Sequence, residues 1–493
     1  MMTEIEIGQI AEESGVQFGT SGVRGRAAAL TDRVCYAYVL GFLQHAERLH
    51  QLPPGGRVAV AGDLRPSTDR IARAAMQAIS DRGFQPIDCG RVPSPALALY
   101  GIQEGIPAVM VTGSHIPADR NGIKFTLPAG EILKEDEQSI ISQRVILPAS
   151  FDDHQALVPS TETPSATTNA TAAERYARRY TETFGSRLLA GQRLGVYEHS
   201  AVGRDLLSRI LAGLGAEVTR LGRSETFIPV DTEAIRSEDV ALAAQWAAEH
   251  QLDAILSTDG DSDRPLVSDE RGRWLRGDVV GILCARFLRA DVVVTPLSCN
   301  TAVERSRWFS EVRRTRIGSP FVIAEMQAAV SAGAKHVVGY EANGGFLLAT
   351  DVEFENGTLG ALPTRDPVIV QLAILAEAAR KRRTVSQLLT ELPARFTASD
   401  RLQGFPTERS RRLLEQLSHA THEHLERELG GSFGTIAETN RMDGLRITFD
   451  SGEILHLRAS GNAPELRCYA EADTEARALK ITALATEQLQ SWR

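Results

Sequence analysis

Ser114 and His115 stand side by side in Val111-Thr-Gly-Ser-His-Ile-Pro-Ala-Asp-Arg-Asn-Gly-Ile-Lys-Phe125, and Lys124 closes the same segment. A hydroxyl, an imidazole and an ammonium in a bend marked by glycine and proline invite nucleophilic chemistry. A Ser–His hydrolase needs the imidazole bonded to the serine oxygen, with a carboxylate behind it. Sequence neighbours rarely bring their side chains together in that way, and no G-x-S-x-G elbow surrounds Ser114. A phosphoryl group on Ser114 would instead give every neighbour a part. Lys124 and Arg24 would offset its charge, and His115 would position groups or shuttle a proton.

Asp259-Gly-Asp-Ser-Asp-Arg264 places three carboxylates at alternating positions. Such a loop can converge on one hard divalent cation, and oxygen-only ligands suit magnesium or calcium better than zinc. An EF-hand is excluded, because Arg264 occupies the position where that loop needs glycine. A solvated acidic turn is the competing reading. Arg458-Ala-Ser-Gly-Asn-Ala-Pro-Glu-Leu-Arg467 joins two arginines to a small-residue turn, which is either a phosphate cradle or a plain hairpin. Tyr340-Glu-Ala-Asn-Gly-Gly345 offers a carboxylate and an amide to sugar hydroxyls, or forms an ordinary turn. Phe18-Gly-Thr-Ser-Gly-Val-Arg-Gly25 sets Arg24 among glycines that could fold round an anion or merely connect. In Gly62-Asp-Leu-Arg-Pro-Ser-Thr68 a strand-to-helix turn, capped by Ser67 or Thr68, is the expected structure.

The elements that must hold these loops alternate short apolar runs with amphipathic stretches, the pattern of α/β layers. Arg57–Ala61 reads as a strand before a helix over Asp69–Ser80. Pro107–Val111, Asp253–Leu256 and His336–Tyr340 each read as a strand delivering a polar, glycine-bearing loop at its C-terminal end, where α/β domains place ligands. Three similar domains around one cleft follow. The block from about Phe396 differs: it reads as helix-rich, with strands at Gly444–Phe449 and Ile454–Arg458.

The 493 residues exceed one core, and a chain of this size forms roughly three or four domains. A net charge of -9 argues against nucleic acid or an anionic membrane as a general partner, so an anionic substrate needs a local basic cluster. Five scattered cysteines suit free thiols in a reducing cytoplasm. The N-terminus lacks a signal-peptide pattern, and the apolar run Pro367–Ala376 is too short to span a membrane. The Ser/Thr-rich segment 159–171 reads as a linker.

Taken together, these motifs resemble those of the α-D-phosphohexomutase superfamily in chain order. Its T-A-S-H-N-P loop is similar to Thr112–Pro117, its D-G-D-x-D-R to Asp259–Arg264, and its G-T-x-G-x-R-G to Gly19–Gly25. Its sugar loop resembles Gly339–Gly344, and its R-x-S-G-T-E-P phosphate loop resembles Arg458–Pro464. The resemblance implies a heart-shaped, four-domain architecture of three similar α/β domains and a smaller C-terminal α+β domain. Expected boundaries are 1–158, 172–275, 276–393 and 394–493.

By the same resemblance Ser114 is the phosphorylated serine, and Asp259, Asp261 and Asp263 join it as Mg2+ ligands. Arg264 and Lys124 fall where the family contacts substrate or the transferred phosphate. Glu341, with Asn343 beside it, falls on the sugar loop. Arg458, Ser460, Gly461, Asn462 and Arg467 resemble the substrate-phosphate site.

The implied reaction interconverts hexose 1-phosphate and hexose 6-phosphate through a 1,6-bisphosphate, which also serves as activator. A mobile fourth domain would close over the phosphosugar and exclude water. The general base stays open between Lys124 and His115. Ile116, Asn462 and Ala463 depart from the family pattern. Asn343 replaces a common serine and resembles the loop of acetylglucosamine-phosphate mutases. The other motifs resemble bacterial phosphomannomutases, so mannose phosphate is the expected sugar and glucose phosphate the second. A phosphoglucosamine or acetylglucosamine-phosphate mutase, a non-turnover phosphosugar-binding relative and a metal-dependent phosphatase are the alternatives. A cytoplasmic monomer or dimer is expected.

Overall fold

The computed structural model of the chain describes residues 3–19, 22–148, 151–158, 168–429, 431–460 and 465–492. One strand arrangement occurs three times. In the first domain the strands lie in the order Gln85–Arg91, Arg57–Gly62, Ala108–Val111, Arg120–Leu127, the first three parallel and the last antiparallel. The second domain repeats it with Glu217–Arg223, Arg193–His199, Ala254–Thr258 and Pro265–Val267. The third does so with Glu311–Thr315, Val292–Pro296, Val337–Tyr340 and Phe346–Leu348. In each, the third strand is wholly buried and runs into the turn that carries the polar loop. Its two faces lie under helices, so these strands are apolar runs without alternation. The first sheet is extended at its far edge by Val23–Arg26 and Gln17–Phe18, which bring Arg24 opposite Gly122.

The three domains are one packed body. A single apolar cluster runs from Ala59 and Met110 through Tyr176, Leu194 and Leu256 to Val338 and Leu372. The run Pro367–Ala376 lies in it as part of the helix Pro367–Lys381. That helix starts with the Asp366 side chain accepting Val368 N–H and Pro367 in its first turn, where a missing N–H costs nothing. It is apolar nearly all round because it is covered nearly all round.

The C-terminal domain has its own apolar cluster, from Ala398 to Leu489. Its five strands lie in the order Phe396–Gln403, Glu465–Ala472, Ile454–Ala459, Leu445–Phe449, Ile436–Asn440, all antiparallel. The expected strands at 444–449 and 454–458 are present within a residue. The block is helix-rich as expected, with helices Thr407–His419, His422–Glu428 and Glu475–Ser491, and it also contains the strands Phe396–Gln403 and Glu465–Ala472, which the hydrophobic pattern does not mark. Phe396–Gln403 is polar along most of its length because only Ala398 and Leu402 face the core, which hides it from a hydrophobic pattern. Polar contacts join this domain to the third: Asn300 Nδ2 donates to the Arg395 carbonyl at 2.8 Å, and Ile317 N–H to Asp443 Oδ2 at 2.9 Å. All five cysteines are free and buried. Among the described residues no helix is long and apolar enough to cross a membrane. The linker residues 159–167 lie outside the described residues.

Candidate active site

Ser114 sits at the tip of the first domain's loop with φ 54°, in the left-handed region that a non-glycine residue enters only when its surroundings hold it there. Arg65 does much of the holding. Its Nη2 donates to the carbonyls of Ser114 (2.8 Å) and Ile116 (2.6 Å), its Nη1 to those of Pro117 (2.7 Å) and Arg120 (2.9 Å), and its Nε to Asp63 Oδ2 (3.1 Å). Asp63 also accepts from Thr112 Oγ1, which in turn accepts Ser114 N–H at 2.8 Å. A Cβ on Gly113 would lie 2.7 Å from the Arg65 guanidinium carbon, so the glycine admits the clamp. The expected cap at this turn is not formed. Thr68 Oγ1 bonds Asp63 instead, and Ser67 Oγ accepts from Asn121, because the buried Asp63 carboxylate and the adjacent loop claim both hydroxyls.

The second domain's loop meets this tip. Ser114 Oγ donates to Asp259 Oδ2 at 2.6 Å, and a Cβ on Gly260 would lie 2.7 Å from the Ser114 carbonyl oxygen, so glycine allows the approach. Ligand oxygens of Asp259, Asp261 and Asp263 lie within 4.8 Å of one another, all buried. Lys124 Nζ donates to Asp261 Oδ2 at 2.5 Å and to Asp263 Oδ2 at 2.7 Å, and Ser94 Oγ donates to Asp261 Oδ2 at 2.6 Å. Asp261 Oδ1 and Asp263 Oδ1 are buried and, among the described residues, have no hydrogen-bond partner. Burial, then Asp261 and Asp263, push the Asp259 carboxyl well above its ordinary range. Burial opposes ionisation of Asp261 too, but Lys124 and Ser94 overcome it and hold that carboxyl low. Buried carboxylate oxygens that converge with too few partners are suited to a hard divalent cation, so these residues fit the magnesium the sequence suggests.

Burial lowers the His115 pKa well below its ordinary value, and Arg264 and Arg24 add to the effect. Arg264 Nη1 donates to His115 Nδ1 at 2.8 Å, which takes up the lone pair there. The neutral imidazole therefore fixes Arg264 more readily than it receives a proton at that atom. Burial works against the Lys124 ammonium, but Asp261 and Asp263 raise its pKa, so Lys124 serves as a fixed positive charge. Arg24 is lowered to about 10 by burial and by Arg264 and Arg365.

Arg365, which no motif in the sequence marks, is fully buried and joins two of the loops. Its Nη2 and Nε lie 2.9 and 3.0 Å from Asp263 Oδ2, and its Nη1 lies 3.4 Å from Glu341 Oε2. Glu341 is thus engaged by the protein at 4% exposure. Asn343 turns onto its own loop, its Oδ1 accepting Gly345 N–H at 2.8 Å. In the C-terminal domain Arg458 is paired with Asp443 at 2.9 Å, and Ser460 is buried with its N–H on the Glu465 carbonyl. Gly461 and Asn462 lie outside the described residues. Arg467 lines a cleft of about 830 Å³ together with Arg24 and His115, and so faces the first domain across it.

A serine pinned beside convergent carboxylates, with fixed cations around it and arginines across a cleft, defines an enzyme of phosphoryl transfer. Comparison with known proteins gives the particular family. Models of the phosphoglucomutase/phosphomannomutase alpha/beta/alpha domains I, II and III match residues 15–146, 174–272 and 276–396, and that of the C-terminal domain matches 389–487. The chain belongs to the phosphoglucomutase/phosphomannomutase family. It is 43% identical to a phosphomannomutase of Salmonella muenchen over 98% of this chain and 97% of that one. It is 44% identical to a phosphomannomutase of Sinorhizobium fredii over 93% and 95%. Phosphoglucosamine mutases, such as that of Symbiobacterium thermophilum, match at 28% over 96% and 98%. A phosphoglucomutase/phosphomannomutase family protein of Burkholderia thailandensis shares the fold, with a TM-score of 0.71 at 21% identity over 96% and 97% of the chains.

Proposed function

We propose that the protein is a phosphohexomutase that interconverts hexose 1-phosphate and hexose 6-phosphate, with mannose phosphate preferred and glucose phosphate second. The observation that carries this reading is the contact of Ser114 Oγ with Asp259 at 2.6 Å, inside a ring of buried cations and carboxylates. Ser114 would carry the phosphoryl group. The free hydroxyl of the bound sugar forms a bond to that phosphorus, the bond from phosphorus to Ser114 Oγ breaks, and the hydroxyl proton ends on the serine oxygen. The bisphosphate then turns over in the cleft and the same exchange runs in reverse from its other end. A hexose 1,6-bisphosphate would load an unphosphorylated Ser114 by that second half.

Asp259, Asp261 and Asp263, with the phosphorylated Ser114, would hold Mg2+, which when bound supplies positive charge to the transferring oxygens. Lys124 and Arg264 provide fixed positive charge at the same end, and Arg65 keeps the serine loop from yielding. Arg467 and Arg458 would receive the distal phosphate, and release of Arg458 from Asp443 would accompany closure of the C-terminal domain. That domain's separate core and polar seam favour such a movement. Glu341 and Asn343 would meet the sugar from the third domain with the capacity their protein contacts leave over, the Glu341 Oε1 oxygen and the Asn343 amide nitrogen. The sugar preference is supported by higher identity to phosphomannomutases than to phosphoglucosamine mutases.

Phosphorus NMR tests the reading. Mannose, glucose, glucosamine and acetylglucosamine 1-phosphates are offered with magnesium and a trace of bisphosphate. Conversion of mannose 1-phosphate to its 6-phosphate, lost in Ser114→Ala, is the expected result. Full turnover by Ser114→Ala refutes the phosphoserine, and preference for an amino sugar refutes the substrate.

A further inference from the structure

The second domain contributes a surface to the cleft that no motif marked. The segment after Phe227 lines it with Asp231, Glu233 and Arg236, opposite Arg401 and Arg467 of the C-terminal domain. Two of its three charged side chains are occupied. Asp231 Oδ1 accepts Glu233 N–H at 3.0 Å, closing the local turn, and Arg236 is paired with Asp239 at 2.6 Å. Glu233 differs: among the described residues its half-buried carboxylate has no hydrogen bond or ion pair. The backbone that carries it is firmly placed. Val230 and Thr232 are buried, and Thr232 Oγ1 donates to the Asn343 carbonyl at 2.8 Å, tying this segment to the sugar loop of the third domain.

A half-buried carboxylate held at a fixed position in a cleft, without a protein partner among the described residues, is a vacant hydrogen-bond acceptor. Burial and Asp231 raise its pKa, while Arg264, Arg276 and Arg467 pull it back. Glu233 lines the same cleft as Arg24 and His115 of the first domain, beside the serine loop, and Arg467 of the C-terminal domain, so it shares the space between the two ends that would hold phosphates. What lies between the two phosphates of a hexose bisphosphate is the ring and its hydroxyls, which are hydrogen-bond donors. Glu341, the carboxylate of the sugar loop, is meanwhile spanned by Arg365 and nearly sealed from solvent.

We propose that Glu233 is a further substrate-binding residue, accepting hydrogen bonds from ring hydroxyls of the phosphosugar; this rests on the phosphohexomutase reading. The test is steady-state kinetics of wild type, Glu233→Ala and Glu233→Gln with mannose 1-phosphate and its 2-, 3- and 4-deoxy analogues. For Glu233→Ala, kcat/KM should fall about tenfold or more, chiefly through KM, with an unchanged melting temperature. That penalty should shrink for at least one deoxy analogue, because its missing hydroxyl has no bond left to lose. Glu233→Gln, which keeps an acceptor oxygen without the charge, should recover part of the loss. Wild-type kcat/KM in Glu233→Ala, or an equal penalty with all analogues, overturns the proposal. Failure of the wild type itself to turn over any hexose phosphate would instead defeat the mutase reading, and this proposal with it.

Discussion

Replacing Arg65 with lysine should uncouple the serine loop from its support. All five N–H donors of the guanidinium are used: one on Asp63 and four on the carbonyls of Ser114, Ile116, Pro117 and Arg120. The guanidinium also stacks 4.1 Å from the Phe227 ring of the second domain. An ammonium has three donors on one atom, so at least two of the five acceptors must go without. Hydrogen bonds to charged groups contribute about 1.5–3 kcal/mol each, so the loss is roughly 3–6 kcal/mol in local loop stability. The loop holds Ser114 in a backbone region it would otherwise leave, and that strain is the first thing released. A displacement of about 1 Å at the reacting oxygen costs on the order of 100-fold in rate. The assay is the rate at which hexose 1,6-bisphosphate adds a phosphoryl group to Ser114, followed by intact-protein mass and peptide mapping. Circular dichroism shows whether the domain has stayed folded. Wild-type loading in a folded Arg65→Lys protein would refute the argument that this clamp places the serine.

Other outcomes follow from the same geometry. Gly260→Ala should slow Ser114 loading while leaving the fold intact, because its Cβ would press at 2.7 Å on the Ser114 carbonyl; unchanged loading would show that the two loops part without cost. Asp261→Asn should weaken magnesium binding roughly 100-fold, read by isothermal calorimetry in the absence of substrate. Wild-type affinity in that variant would remove the aspartate loop from the metal site. His456 is buried with its Nε2 on the Asp443 carbonyl, and burial lowers its pKa from 6.5 to about 4. The unfolded chain takes up that proton first as pH falls. His456 therefore lends its full stabilisation above pH 6.5 and loses it as pH drops toward 4. Between pH 7.5 and 5 the loss is about 2 kcal/mol. Melting temperatures at pH 7.5 and 5.0 should converge between wild type and His456→Gln on acidification; a constant gap would exclude this titration.

The chemistry-bearing loops were legible because each is local. Three aspartates at alternating positions must share one turn whatever the fold around them, and Ser114 with its flanking glycine and proline declares a bend by composition alone. The three apolar runs that deliver these loops were legible as well, since a strand buried on both faces admits little else. The threefold repeat of strand order was only implied, because it resides in hydrogen-bond pairing and not in sequence identity.

What decided the site lay in residues brought in from far along the chain. Arg65 reaches Ser114 across 49 residues, Arg365 reaches Asp263 across 102, and Ser94 reaches Asp261 across 167. An isolated arginine in a sequence has no preferred partner. Its role is set when burial removes water and leaves only the acceptors that the surrounding domains present. The same selection turns Arg458 onto Asp443, Glu341 onto Arg365 and Asn343 onto its own turn, while among the described residues it leaves the Glu233 carboxylate without a partner. Sequence determined which reactive groups the protein owns and which local turns hold them. Tertiary structure alone decided which of those groups are already engaged and which remain free for a substrate, because hydrogen-bond satisfaction in a buried site is a property of the whole enclosure.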